Sequence, residues 1–77
     1  MALEEALLTI LACPVDKGSL LYFEDEMILY NPRLRRRYPI RDGVPVMLAH
    51  LAEPVGEAEH ALLVGRAQAG DAVATLS

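Results

Sequence analysis

Cys13 and Asp16 stand at metal-ligand spacing, and Asn31 and Leu34 repeat that spacing after a gap typical of paired zinc-binding turns. Zinc takes four tetrahedral ligands, usually cysteine thiolates or histidine imidazoles. Cys13 suits that role and Asp16 is a usable oxygen donor. Asn31 is a poor ligand, and Leu34 carries no donor at all. The four positions therefore have the spacing of a site without its chemistry, so no metal or other cofactor is expected. Cys13 is then read as a small buried hydrophobe. As the single cysteine it also rules out an internal disulfide.

Arg33, Arg35, Arg36 and Arg37 concentrate positive charge in a chain of net charge −4. Such a run suits phosphate or RNA. Only Tyr38 adjoins it, however, and no aromatic platform for stacked bases surrounds it. An exposed strand can use the same residues to blunt a sheet edge. The cluster is therefore at most an auxiliary anion or RNA patch. His50 and His60 each stand alone, outside any nucleophile or metal motif. Glu24-Asp25-Glu26 reads as a charged turn, and no phosphate-cradling loop is present. With 77 residues there is little room for a substrate-sized pocket. Catalysis is not expected.

Those residues must be positioned by a single small domain, and 53% of its residues are apolar. That share argues against disorder and leaves apolar surface in need of cover. The first residues include Glu4 and Glu5 where a signal peptide would be basic. No apolar run reaches the ~20 residues of a membrane helix. A cytoplasmic protein with no membrane association is expected.

Apolar residues at Leu3, Ala6, Leu7, Ile10 and Leu11 have helical spacing and predict a helix over 3–11 with one buried stripe. It should stop near Ala12, because Cys13 precedes Pro14. Strands are expected over Ser19–Glu24, Met27–Tyr30, Arg35–Ile40 and Val44–Leu48. In the first, Leu20 and Tyr22 share one face, and Leu21 and Phe23 share the other. Between the last two lies Asp42-Gly43, a strong hairpin signal because glycine reaches φ > 0 at no steric cost. Arg41 should face Val44, with Pro45 at a site that needs no N–H. Pro39 should face Val46 and lose one ladder bond, which makes the hairpin short or edge-lying. A second helix is expected over Glu57–Ala69, with Ala58, Ala61, Leu62 and Gly65 on its stripe and Gly70 at its end. These elements give a core over 1–52, a C-terminal helix over 53–70, and a frayed tail over 71–77. No internal repeat is evident. With both faces of the first two strands apolar, the N-terminal helix can cover only one. The other needs the C-terminal segment, a second copy or another protein.

Ile10-Leu11-Ala12-Cys13-Pro14, Lys17-Gly18-Ser19-Leu20 and Tyr38-Pro39-Ile40-Arg41-Asp42-Gly43-Val44-Pro45-Val46-Met47-Leu48 closely resemble one family. It is the Trm-one-twelve family of small methyltransferase-activating subunits, in its bacterial YcaR-like branch. The resemblance spans roughly residues 7–48. It implies a zinc-ribbon-like sheet with flanking helices, which binds and stabilises a class I, S-adenosylmethionine-dependent methyltransferase acting on tRNA, rRNA or release factors. Members with zinc use two Cys-x-x-Cys pairs, and the matching positions here are Cys13, Asp16, Asn31 and Leu34. The expected fold is α+β, with about four antiparallel strands, an N-terminal helix and a C-terminal helix. The expected function is a non-catalytic binding subunit. Leu21, Phe23, Ile40, Val44, Val46 and Met47 are candidates for its apolar interface, although some of them must be core. The alternatives are an RNA-binding accessory protein and a homodimer.

Overall fold

A computed structural model describes residues 5–76 of the chain. Its elements are α1 (Glu5–Leu8), β1 (Leu21–Phe23), β2 (Ile28–Asn31), β3 (Arg36–Arg41), β4 (Val44–Pro45), a single 3₁₀ turn (Ala49–Leu51), β5 (Glu53–Pro54), α2 (Glu57–Gln68) and β6 (Val73–Ala74). The fold is α+β. All strand pairs are antiparallel, in the order β4-β3-β2-β1-β6, with β5 beside the start of β3.

The register assigns side chains to faces. Tyr22 pairs with Leu29, and Leu29 with Tyr38, so these three point to one side. With Leu8, Cys13, Leu20 and Ile40 they form one buried cluster, flanked by Leu7, Leu11 and Met47. Phe23 and Tyr30 point to the other side and pack with Val55 and Leu63, flanked by Leu21, Ile28 and Ala67. The alternation read from β1 therefore holds. The second face is covered by α2, from the C-terminal segment of the same chain.

Several elements differ from expectation. Leu3 lies outside the described residues. α1 ends at Leu8 rather than near Ala12, because Leu7 O takes both the Ile10 and Leu11 N–H groups and the Thr9 hydroxyl bonds back to Ala6 O at 2.7 Å. With the helix ended, Ile10 is not carried onto the buried stripe and is 71% exposed, and Leu8 takes its place in the core. β4 stops at Pro45 rather than Leu48. Its last rung is Val46 N–H to Pro39 O at 2.9 Å, and Pro39 has no N–H to return. The stripe on α2 is Leu63 with His60 and Ala67, while Ala58, Ala61, Leu62 and Gly65 are exposed.

The segment over 71–77, expected to fray, instead supplies β6. Val73 and Ala74 pair with Tyr22 and Leu21. Thr75 is buried because its Oγ1 accepts from Leu20 N at 2.7 Å and its N–H donates to Leu20 O at 2.8 Å. A short stretch with no apolar pattern is held here by backbone and hydroxyl hydrogen bonds, which periodicity does not report.

Candidate functional site

Two turns lie side by side at one end of the sheet. The first runs from Cys13 to Gly18 and is closed by Lys17 N–H to Cys13 O and Cys13 N–H to Gly18 O, both 2.9 Å. The second runs from Asn31 to Arg36 and joins β2 to β3. The two repeat one design. Each opens on a side-chain acceptor followed by proline, Cys13-Pro14 and Asn31-Pro32. In the first, Val15 N–H points at the Cys13 sulfur, 3.5 Å away. In the second, Asn31 Oδ1 accepts from Arg33 N at 2.9 Å and Leu34 N at 3.2 Å. Four residues after each acceptor comes a cation with left-handed backbone, Lys17 at φ 62° and Arg35 at φ 53°. No repeat was read from the sequence, and the paired Cys-Pro and Asn-Pro, each followed by Lys or Arg at the same offset, are the signal that could have shown it.

The turns are clasped by polar groups. Arg33 holds Asp16 in a two-pronged ion pair, with Nε to Oδ2 at 2.7 Å and Nη2 to Oδ1 at 3.2 Å. Its Nη2 also reaches Ser19 O at 2.7 Å. Asn31 Nδ2 donates to Asp16 Oδ1 at 3.2 Å, as does Gly18 N–H at 3.0 Å. The guanidinium lies over Gly18, where a Cβ would come within 2.7 Å of its carbon and push the Arg33 side chain aside. The Arg33 bonds, followed by the Gly18 N–H, hold the Asp16 carboxyl well below the usual carboxylate range.

This donor set does not fit zinc. Both Asp16 oxygens are engaged, Asn31 Oδ1 serves two backbone N–H groups, and Leu34 offers no lone pair. Among the described residues no three His, Cys, Asp or Glu side chains gather as a metal site. Cys13 is fully buried, 3.3 Å from the Tyr38 hydroxyl. Burial opposes its thiolate, but hydrogen bonds from Tyr38, the Asp16 and Val15 N–H groups and Asn31 outweigh it and draw the thiol pKa down. Burial and the bond to Cys13 push Tyr38 up to about 12.

The structure divides the arginine cluster. Arg33 is consumed by Asp16, and Arg37 by Glu53 at 3.1 Å and Glu59 at 2.5 Å. Arg35 and Arg36 are exposed and have no carboxylate partner among the described residues. His60 Nδ1 lies 2.6 Å from the Tyr30 hydroxyl, and His50 is exposed in the 3₁₀ turn.

At the opposite end, Asp42 and Gly43 have φ of 53° and 76°, and Arg41 faces Val44 as the turn requires. Of the interface candidates, Phe23 and Ile40 are core residues. Leu21, Val46 and Met47 are half-buried, and Val44 is 61% exposed. Leu48 and Leu51, which the sequence reading did not single out, are also exposed. Beside them a groove of about 560 Å³ is lined by Pro39, Arg41, Val46, Leu51 and Glu53.

A small antiparallel sheet with two clasped turns and one exposed apolar hairpin makes a small α+β module. The chain belongs to the Trm112p-like protein family, which matches residues 4–43. It is 46% identical to a UPF0434 protein of Neisseria meningitidis serogroup C over 57 residues, which cover 74% of this chain and 95% of that one. It is 43% identical to a UPF0434 protein of Gluconobacter oxydans over 53 residues, covering 69% and 90%. The solution NMR structure of an uncharacterized protein, 48% identical, superposes with a TM-score of 0.61 over 73% of this chain and 92% of that one. No helix among the described residues is long and apolar enough to cross a membrane.

Proposed function

We propose that this protein is a non-catalytic binding subunit whose client is an S-adenosylmethionine-dependent methyltransferase of the translation machinery. The observation that carries this reading is the apolar surface beyond the Asp42-Gly43 turn. Val44, Leu48 and Leu51 are 61%, 51% and 46% exposed within one short segment. Val44 is in β4, the last strand in the sheet order, and Leu48 and Leu51 follow it in the chain. A terminal strand next to exposed apolar side chains is a ready place for a partner to add a strand and bury surface. The resemblance to methyltransferase-activating subunits supplies the client class. The test is co-purification of the chain from extract of its own cells, read by mass spectrometry. A methyltransferase should be retained at stoichiometric ratio through high salt, and Val44→Glu with Leu51→Glu should release it. Retention by that double variant, or no methyltransferase at all, would refute the reading.

A second reading, as an RNA-binding accessory, is favoured by Lys17, Arg35 and Arg36, which project from the two turns without carboxylate partners among the described residues. Three phosphate contacts would make log K fall with log salt at a slope of about −2. Binding that salt leaves unchanged, or that survives conversion of all three to glutamine, removes it.

A further inference from the structure

The second face of the sheet already holds a helix, and most of that helix lies beyond the length of chain that its relatives match. Strands β1 to β3 lie within the family match over 4–43. The matched residues make up 95% of the Neisseria relative but 74% of this chain, so about a quarter of this chain lies outside the match. Only three residues precede the family match, and 57 matched residues counted from there reach residue 60, which leaves most of α2 and all of β6 in the excess. Strands β1 to β3 are thus common property, while most of their cover on this side is an addition.

The way α2 is seated describes what the face accepts. Leu63 is its one buried residue and enters the cluster of Phe23, Tyr30 and Val55. Glu59, four residues earlier, meets Arg37 at 2.5 Å. Arg66, three residues later, meets Asp25 at 2.6 Å and lies 5.1 Å from the Phe23 ring centre. His60 adds a bond to Tyr30, Arg66 a second pair to Glu26 at 3.4 Å, and Ala67 packs against the same cluster. Carboxylate, aliphatic group and cation form one stripe at helical spacing. Glycine brackets the helix. Gly56 caps its start without a side-chain hydrogen bond, Gly70 follows its end at φ 92°, and a third glycine, Gly65, interrupts it.

We propose that the second face is a helix-docking surface, with α2 as its tethered occupant. A partner's amphipathic helix carrying a carboxylate, an aliphatic residue four positions on and a cation three further would take the same seat. Arg37, the Phe23–Tyr30–Val55 pocket and the Asp25–Glu26 turn are the three points that would read it. The helix swings out between Gly56 and Gly70 while β6 keeps its end at the sheet edge. The tether holds α2 near the surface at millimolar effective concentration, so a free competitor gains access only when α2 is weakened or the competitor binds better. This surface is distinct from the hairpin patch, and its test needs no methyltransferase.

Two measurements on the full-length chain decide it. Hydrogen exchange read by NMR should show α2 amides exchanging at least tenfold faster than those of β2 and β3, through an opening that leaves the sheet protected. A single common protection level for α2 and sheet overturns the proposal. A fluorescein-labelled peptide of residues 56–71 should bind full-length Arg66→Glu at least tenfold more tightly than wild type, with the β1–β3 amide signals unchanged. Equal binding, or loss of those signals, makes α2 an integral part of the fold and overturns it as well.

Discussion

The two faces of one sheet are covered in different ways. On the first face, Leu20, Tyr22, Leu29 and Tyr38 meet Leu8 and Cys13, and the polar groups there are themselves buried, with Asn31 fully enclosed and the Cys13 sulfur paired to the Tyr38 hydroxyl. On the second face, α2 contributes one buried leucine, and its ion pairs sit at the rim, where Glu59 and Asp25 keep 38% and 64% of their side-chain surface. Successive residues of β1 feed the two faces alternately, so the strands treat them alike. The difference lies in the covers. Burial of apolar groups accumulates with area, while exposed ion pairs contribute about 0–1 kcal/mol each. The first face should therefore carry most of the stability.

Leu29→Ala tests that directly and should have the largest effect. Leu29 is fully buried at the centre of the first face, and its loss should cost about 2–5 kcal/mol through lost transfer energy and the cavity left behind. Urea unfolding would measure it. Leu63→Ala removes the same atoms from the second face, where Ala67, Leu21 and Ile28 are only partly buried and free to close in. It should fall at or below the low end of that range, about 2 kcal/mol. Equal costs would break the comparison, because α2 would then be as firmly built in as α1.

Much of this layout was legible in the residues. The alternation at Leu20–Phe23 revealed two apolar faces, and Asp42-Gly43 with its flanking prolines fixed the hairpin register down to Pro39 opposite Val46. The helix over 57–68 was legible, but its buried side was not. Ala58, Ala61 and Leu62 form the better apolar stripe, yet Glu59 and Arg66 find counter-charges on β3 and on the turn after β1, and the helix faces the sheet with Leu63. The tail over 73–76 was missed because its anchors are Thr75 and backbone groups. At the candidate site, spacing alone located three of the four residues that meet, but it gave no sign that Arg33 would replace the missing ligand. That pairing joins residues 17 positions apart in sequence and lays the guanidinium over Gly18. No local pattern encodes it.

The hairpin sharpens the comparison from another side, because it carries Ile40 into the first face. Gly43 has φ 76°, a conformation that costs a β-branched residue dearly. Gly43→Val should cost more than ~1 kcal/mol. It should shift amide signals around Ile40 and Val46 and leave those of α2 in place. An unchanged unfolding midpoint would show that the turn does not set this register.

The smallest effect is expected at the clasp, and its signature is pH rather than size. Asp16 is bonded first by Arg33 and then by the Gly18 N–H, and its carboxyl titrates well below the usual range. A carboxylate whose pKa is lowered on folding binds fewer protons folded than unfolded. Its contribution is therefore complete above the unfolded value of about 3.9 and is lost as pH falls below it. The pair is partly exposed, with 44% of the Arg33 and 26% of the Asp16 side-chain surface open, so salt should weaken it too. Asp16→Asn keeps an acceptor for the Gly18 N–H but removes the charge. Its melting temperature should lie below that of wild type at pH 7 and converge on it as pH falls through 4 toward 2. Two parallel curves would mean that shape, not charge, joins the turns. The clasp would then resemble the hydrocarbon packing beneath it more than the rim contacts of the second face.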